Sequence, residues 1–193
     1  MEARLILVGP PGAGKGTQAV TITEKLGIAH IATGDMFRDS IAQGTELGKL
    51  AQSYIDNGNL VPDEVTDRMV RERLSQDDAR DGFLLDGYPR TPDQVYALDA
   101  TLADLGMTLD VVIEITVPSD VIVDRLVQRA AIEGRADDTE EVIRHRIDVY
   151  HSDTEPLVRI YQERGQLIQV DGVGGVDEVH ERIVDAARRH LSR

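Results

Sequence analysis

The chain of 193 residues has no cysteine and no tryptophan, and aromatic residues make up only 4% of it. Without cysteine it can form neither a disulfide bond nor a thiolate metal site. Hydrophobic residues still amount to 41%, so we expect an aliphatic core. No apolar run approaches the length of a membrane span, and no signal peptide precedes the first strand pattern. We therefore expect a cytoplasmic protein that does not enter a membrane.

Positive charge is scarce as well. The formal net charge is −14, and Lys15, Lys25 and Lys49 are the only lysines. A surface of this kind repels nucleic acid and anionic lipid, so we expect neither as a partner. Base-composition bias and adaptation to salt both stay open as causes of the acidic composition. Arginine supplies the other positive charges, so the position of each arginine carries the functional argument.

A glycine-rich segment at Gly9–Thr17, GPPGAGKGT, lies between an apolar strand pattern at Leu5–Val8 and a helix pattern at Gln18–Leu26. Glycines let the backbone approach phosphate oxygens closely, and successive N–H groups then point inward as donors. The following helix adds the positive end of its dipole, and Lys15 adds a point charge. The segment predicts a phosphate-binding loop for a nucleoside triphosphate; a glycine-rich turn with an unrelated lysine is the alternative.

The loop departs from the usual pattern at one position. The pattern G-x-x-x-x-G-K is ordinarily followed at once by Ser or Thr, whose hydroxyl binds magnesium. Here Gly16 takes that place and Thr17 follows it. The hydroxyl is therefore displaced by one residue.

A second signal is the apolar strand pattern Phe83–Asp86, which ends in a carboxylate. Downstream of a phosphate loop, such a strand resembles the one that holds a carboxylate near magnesium. Asp86 as a helix cap or turn residue stays open as an alternative. Arg90 follows on a tight loop.

Another arginine, Arg38, lies about one turn into a predicted helix for which Thr33 or Asp35 is a plausible N-cap. A solvated surface arginine is the alternative reading of Arg38.

Strand and helix patterns alternate along the whole chain. Such alternation predicts an α/β fold in which helices cover both faces of a parallel sheet. Ligands are then expected at the carboxyl ends of the strands, where the phosphate loop, Asp86 and the turn Asp171–Gly175 can face one crevice. The predicted strands are Leu5–Val8, Gly27–Ile31, Phe83–Asp86, Val111–Ile115 and Gln166–Val170. The predicted helices include Gly48–Gly58 and Pro62–Leu74 in an insertion, Thr91–Leu105, Ser119–Ala131, one from Thr139 that Pro156 divides, and Val176–Leu191.

Four segments occur in the same order as in adenylate kinases: Gly9–Gln18, Thr33–Arg38, Asp86–Thr91 and Arg135–Asp138. Over essentially its whole length the chain resembles that family, in which the displaced hydroxyl is normal. The resemblance implies one P-loop kinase domain over residues 1–193, with a three-layer core and a five-stranded parallel sheet. It also implies an NMP-binding insertion at 33–61 and a short lid of bacterial type at 128–138.

The resemblance further implies reversible, magnesium-dependent phosphoryl transfer from ATP to AMP, giving two ADP, in adenine nucleotide homeostasis. Magnesium would enter with ATP, and Asp86 would orient it through water, with no residue binding the metal directly. Some relatives hold zinc in the lid through cysteines, which this chain lacks, so no zinc is expected. The family also suggests a monomer.

Individual residues receive roles from the resemblance. Asn59 occupies a position where relatives often have Lys. Its backbone could still contact AMP, but its side chain cannot supply a positive charge. Phosphoryl transfer would depend on Lys15, Asp86, Arg90, Arg129, Arg135 and Arg146. ATP would be bound by Gly12, Ala13, Gly14, Lys15, Gly16, Thr17, Arg129 and Gly174. AMP would be bound by Thr33, Arg38, Asn59, Leu60, Val61, Gly87, Tyr88, Pro89, Arg90, Gln94, Arg135 and Arg146.

Three other functions agree less well with these residues. A UMP/CMP kinase would have the same fold, but the Gln94 amide can both donate and accept hydrogen bonds at the Watson–Crick edge of adenine, which argues against that activity. A GTPase would need an Asn-Lys-x-Asp motif, and none of the lysines follows an asparagine. A catalytically silent ATP-binding regulator has no need of arginines between two phosphate groups.

Overall fold

The computed structural model describes residues 3–133 and 139–191, except for the side chains of Glu133 and Leu191. Within this part of the chain five strands form one sheet in the order β2-β3-β1-β4-β5. All four neighbouring pairs are parallel, which confirms the predicted α/β fold. The strands are β1 (Ala3–Val8), β2 (Ala29–Ala32), β3 (Gly82–Asp86), β4 (Val111–Thr116) and β5 (Leu167–Asp171).

Helices connect the strands, and the predicted helical insertion lies between β2 and β3. Pro156 was expected to divide a long helix, and a π-helical turn at Tyr150–Thr154 separates two helices just before it. No helix in the described ranges is both long and apolar enough to cross a membrane. The helices are α1 (Lys15–Leu26), α2 (Thr33–Ala42), α3 (Glu46–Ile55), α4 (Asp63–Leu74), α5 (Pro92–Asp104), α6 (Ser119–Glu133), α7 (Glu140–Val149), α8 (Glu155–Glu163) and α9 (Val176–Leu191), with a short 3₁₀ turn at Asp77–Ala79.

The core lies on both faces of the sheet because successive strand residues point to opposite sides. In β1, Ile6 belongs to the buried cluster that includes residues of α4, α5 and α8. Its neighbour Leu5 belongs to the cluster that includes residues of α1 and α9. The core is largely aliphatic, as predicted, with Phe83, Tyr88 and Tyr161 as fully buried aromatic exceptions.

The predicted cap of α2 is wrong. The helix begins at Thr33 itself, and its N-cap is Ala32, which offers no side-chain hydrogen bond. The reason is that β2 runs directly into α2, and the Thr33 hydroxyl donates instead to the carbonyl of Gly87 at 2.9 Å. By contrast, the predicted helix start at Thr139 is confirmed, because Thr139 is the N-cap of α7 and accepts from the backbone N–H of Val142.

Candidate nucleotide-binding site

The loop between β1 and α1 has the backbone that phosphate binding requires. Gly14, the N-cap of α1, has φ +91°, and Gly12 has φ +79°. Residues with a side chain rarely adopt this left-handed conformation. A Cβ on Gly14 would meet nothing within 4 Å, so conformation and not crowding calls for glycine there. The loop is thereby held open at the N-terminus of α1, where backbone N–H groups are available to an anion.

Lys15 folds back over this loop. Its Nζ donates to the carbonyl oxygens of Gly9 at 2.8 Å and Pro10 at 3.1 Å. Burial lowers the pKa of Lys15 to about 8, and the nearby Asp86 carboxylate opposes that shift. The ammonium is therefore incompletely compensated, which favours an anion beside it.

Three arginines that lie outside the phosphate loop also act on the ammonium of Lys15. The positive charges of Arg90, Arg146 and Arg129 each lower the pKa of Lys15 further. They come from the loop after β3, from α7 and from α6, so the fold gathers cations from three separate parts of the chain. In a chain of net charge −14, such a concentration of positive charge favours the binding of an anion there.

Asp86 lies at the carboxyl end of β3, directly beside β1 in the sheet. A Cβ built on Gly16 would lie 3.7 Å from Asp86 Oδ2, so the carboxylate faces the start of α1. In the described residues no group of three or more His, Asp or Glu side chains could hold a metal ion. A single carboxylate beside the phosphate loop fits magnesium that arrives with the nucleotide and is contacted through water.

His30 is a neighbour of Asp86 that the sequence analysis did not single out. Its Nε2 lies 4.0 Å from Asp86 Oδ2. The same nitrogen is buried and has no hydrogen-bond partner in the described part of the chain. Sequence patterns could not reveal this contact, because it depends on the pairing of β2 with β3 in the sheet.

Two cavities open at the carboxyl ends of the strands. The larger, about 550 Å³, follows the phosphate loop and reaches the turn after β5. The smaller, about 130 Å³, extends between α2, the segment before α4, and the loop after β3. The two cavities share four cationic side chains, those of Lys15, Arg38, Arg90 and Arg146. Positive charge is therefore concentrated where the cavities meet.

The predicted residues divide between the two cavities. All eight residues expected to bind ATP line the larger one, and Asp86 lines it too. Arg135 lies outside the described residues, and the position expected for it stays a prediction. The smaller cavity is lined by the expected AMP residues Thr33, Arg38, Asn59, Leu60, Val61, Gly87, Pro89, Arg90, Gln94 and Arg146.

Tyr88 is the expected AMP residue that the structure does not bring to the cavity. Its side chain is buried, and its hydroxyl donates to Asp67 on α4 at 2.7 Å. Burial and the Asp67 carboxylate raise the pKa of this hydroxyl, so it stays protonated. Tyr88 thus anchors the loop after β3 to α4, on the side away from the cavity.

The loop after β3 closes around the carbonyl of Gly87. The Thr33 hydroxyl and Arg90 Nε donate to this oxygen at 2.9 and 2.8 Å. Gly87 has φ +81°, and a Cβ there would lie 2.8 Å from Thr33 Oγ1 and 2.9 Å from Arg90 Nη2. Only glycine lets the threonine and the arginine approach from both sides.

Asn59 lines the smaller cavity and contacts α7 with its side chain. Its Oδ1 lies 2.7 Å from Nε2 of His145 on α7, a contact between distant parts of the chain that sequence patterns did not reveal. The side-chain amide is therefore engaged with protein. The expected backbone contact of Asn59 with a ligand stays a prediction.

Arg125 is the main residue that the sequence analysis missed. Its Nη2 donates to the carbonyl of Gly172 at 2.9 Å, and its Nη1 lies 3.5 Å from the carbonyls of Gly12 and Ala13. It thus ties the phosphate loop to the turn after β5 within the larger cavity. The available signal was its spacing of four from Arg129, which puts both arginines on one face of α6.

A glycine-rich loop before α1, in a parallel sheet of this strand order, is typical of P-loop nucleotide kinases, and the fold assigns the chain to that class. A family model described as adenylate kinase matches residues 7–166. The chain is 57% identical to an adenylate kinase of Micrococcus luteus, over 95% of this chain and 89% of that protein. Identity is 56% to one from Kocuria rhizophila, over 96% and 99% of the two chains, and 55% to one from Thermobifida fusca, over 96% and 98%. The chain belongs to the adenylate kinase family.

Membership confirms the resemblance drawn from the four sequence segments and makes the chain an enzyme of the transferase class. The matches extend over nearly the whole chain and not over the phosphate loop alone, so they rest on more than the motif that many P-loop proteins share. Family membership therefore argues against the two alternative functions of GTPase and catalytically silent regulator.

Proposed function

We propose that the chain transfers a phosphoryl group reversibly from ATP to AMP, giving two ADP, with ATP in the larger cavity and AMP in the smaller one. The observation that carries the proposal is the sharing of Lys15, Arg38, Arg90 and Arg146 between the two cavities. A protein that binds one nucleotide needs cations in one cavity. Cations at the junction of two cavities support a reaction in which a phosphoryl group passes from one ligand to the other.

ATP is held mainly by backbone. The N–H groups of Gly12–Thr17 surround its phosphates, and Lys15 turns from the loop carbonyls towards the terminal phosphates. Arg129 covers the phosphates from α6, and Gly174 contacts the base by its backbone. Arg125 supports this arrangement by joining the carbonyl of Gly172 to the phosphate loop.

AMP is held by side chains at its phosphate and by backbone elsewhere. Arg38 and Arg90 bind the phosphate, and Thr33 lies near the base at the start of α2. The segment 59–61 contributes backbone contacts, and Gln94 reads the adenine edge. The support for Gln94 is that its amide is buried, lines the cavity and makes one protein hydrogen bond through each of its two polar atoms.

Phosphoryl transfer asks little covalent chemistry of the protein, so catalysis consists of alignment and charge neutralisation. Lys15, Arg90, Arg129 and Arg146 neutralise charge as it spreads over the transferring group, and the prediction adds Arg135. Asp86 would hold magnesium through water, since its carboxylate faces the start of α1 and the described residues offer no group of three or more acidic or histidine side chains for direct binding. When bound with ATP, the metal adds positive charge to the phosphates.

Water has to be excluded, since ATP would otherwise be hydrolysed. We assign this to movement of the insertion at 33–61 and the lid at 128–138 over the nucleotides, the kind of closure for which adenylate kinase itself is a known example. A monomer is an expectation from the family resemblance. Cytoplasmic location stays an expectation from the sequence.

The test supplies purified protein with ATP, magnesium and AMP, UMP, CMP or GMP in turn, and measures ADP by chromatography. We expect AMP to be the fastest acceptor. A second arm supplies ADP and magnesium alone, from which ATP and AMP should form in equal amounts. A faster reaction with UMP or CMP would assign the chain to the sister activity. ADP formation that does not depend on any monophosphate would contradict transfer altogether.

A further inference from the structure

The orientation of the Gln94 amide is fixed by its protein partners. Its Oε1 accepts from the backbone N–H of Arg90 at 2.7 Å, and its Nε2 donates to Oδ1 of Asp63 at 2.8 Å. A backbone N–H can only donate and an ionised carboxylate can only accept. The oxygen and nitrogen of the amide therefore cannot be exchanged without placing donor against donor and acceptor against acceptor.

Asp63 is itself held in place. It is the first residue of α4, and its second oxygen, Oδ2, accepts from the hydroxyl of Thr91 at 2.8 Å. Thr91 is the N-cap of α5, where the same hydroxyl oxygen accepts from the backbone N–H of Gln94 at 3.2 Å. Both carboxylate oxygens are thus engaged by the turn that carries Gln94, and the carboxylate has little freedom to move.

We infer that Asp63 is the positioning residue that makes the smaller cavity selective for adenine, because it holds the Gln94 amide in one orientation. The inference rests on the proposed function, in which Gln94 reads the base of AMP. A primary amide makes two hydrogen bonds through each end, so Gln94 keeps one donor and one acceptor for a ligand.

Adenine and guanine present opposite patterns to such an amide. The edge of adenine places an amino donor beside a ring-nitrogen acceptor, whereas guanine has a carbonyl acceptor and a ring N–H donor at the same two positions. An amide free to turn over would match either base. An amide locked by Asp63 and the Arg90 N–H matches only adenine, and guanine would leave polar groups unpaired in a buried place.

The test compares Asp63→Ala with Glu64→Ala, the adjacent acidic residue in the first turn of α4, which is exposed. Both variants remove one negative charge from that turn, but only the first removes the partner of Gln94. For Asp63→Ala we expect KM for AMP to rise about tenfold, with kcat and KM for ATP little changed. The ratio of kcat/KM for AMP over GMP should fall by a similar factor.

Two further variants serve as controls. Asp63→Asn should recover most of the loss, since its carbonyl oxygen can still accept, and Glu64→Ala should match the parent protein.

Coupling between Asp63 and Gln94 separates positioning from a general structural effect. If Asp63 acts through Gln94, then Asp63→Ala should add almost nothing in a Gln94→Ala background. Equal losses from Asp63→Ala in both backgrounds would overturn the inference. Asp63→Leu, which keeps the branch at Cγ and cannot accept a hydrogen bond, serves as a second variant if the alanine protein does not fold.

The inference and the proposed function fail in different ways. If Gln94→Ala raises KM for AMP but Asp63→Ala and Asp63→Leu do not, positioning by Asp63 is wrong and base reading by Gln94 stands. If Gln94→Ala leaves KM for AMP unchanged, base reading is wrong and the inference falls with it, while formation of ADP from AMP is unaffected. Failure of the parent protein to use AMP at all would instead overturn the proposed function.

Discussion

The side-chain ammonium of Lys15 donates to the carbonyl oxygen of Gly9, six residues earlier in the same loop, at 2.8 Å. The lysine that is predicted to bind phosphate is thus held by the phosphate loop itself before a nucleotide arrives. Carbonyl oxygens carry only partial charge and do not fully replace water around an ammonium. Burial accordingly dominates and lowers the pKa of Lys15 to about 8, despite the Asp86 carboxylate.

This depressed pKa predicts proton uptake on nucleotide binding. Phosphates near Lys15 favour its charged form, so the pKa of Lys15 is higher in the complex than in the free protein. The complex therefore holds more protons above pH 8, and affinity for ATP should fall as the pH rises past that value. Calorimetry at pH 8.5, in two buffers of different ionisation enthalpy, measures the uptake directly. We expect a fraction of a proton per ATP for the parent protein and none for Lys15→Arg, which stays charged. Equal heats in both buffers for the parent protein would contradict this.

The same pKa predicts that Lys15 costs stability when no nucleotide is bound. Its folded-state pKa lies below the ordinary value, so the charged form is disfavoured by folding at pH 7. The lost stability returns as the pH rises from about 8 towards the unfolded value. Lys15→Met should therefore melt at a higher temperature than the parent protein at pH 7 without nucleotide, while its turnover falls by orders of magnitude. Lys49→Met, at an exposed helix position, is the control and should change neither quantity. A lower melting temperature for Lys15→Met would show that the buried ammonium is well compensated.

Sequence patterns predicted those structural features that depend on local periodicity. The phosphate loop, the five strands and the division near Pro156 follow from runs of neighbouring residues. Asp86 could be assigned to the crevice because parallel strands end at one edge of the sheet. Contacts between distant residues could not be read in this way. Arg125 meets Gly172 47 positions away, and Asp63 meets Gln94 31 positions away.

Gly87 provides a test of crowding beside Arg90, which is proposed to bind the phosphate of AMP. A Cβ at this position would press on Thr33 Oγ1 and Arg90 Nη2, and the backbone is left-handed. Gly106 is the matched control, because it is also left-handed, with φ +69°, but has nothing within 4 Å of a built Cβ. Both Gly→Ala variants should lose roughly 1 kcal/mol of stability from backbone strain. Only Gly87→Ala should also raise KM for AMP, since Arg90 must move. Equal KM values for the two variants would mean that Arg90 does not contact AMP.

Replacement of Arg146 tests whether the cations shared by the two cavities act on the reaction or only on binding. Arg146 lines both cavities, and its positive charge lowers the pKa of Lys15, although α7 is far from the phosphate loop in sequence. Negative charge on the transferring phosphoryl group spreads in the transition state, so a nearby cation stabilises that state more than it stabilises the ground state. Arg146→Ala should therefore lower kcat by about 100-fold or more, while KM for either nucleotide changes much less.

Arg144, on the same helix, is the control for Arg146. It is exposed and pairs with Glu140 one turn away, an interaction worth only a few tenths of a kcal/mol. Arg144→Ala removes the same charge from the same helix, so any loss that it shares with Arg146→Ala reflects long-range electrostatics or helix stability. We expect Arg144→Ala to retain the kcat of the parent protein, with circular dichroism to verify that both variants fold. If Arg146→Ala raised KM for both nucleotides and left kcat intact, the cations at the junction would serve to gather anions, and the neutralisation of the transferring phosphoryl group would have to be sought in Lys15, Arg90 and Arg129.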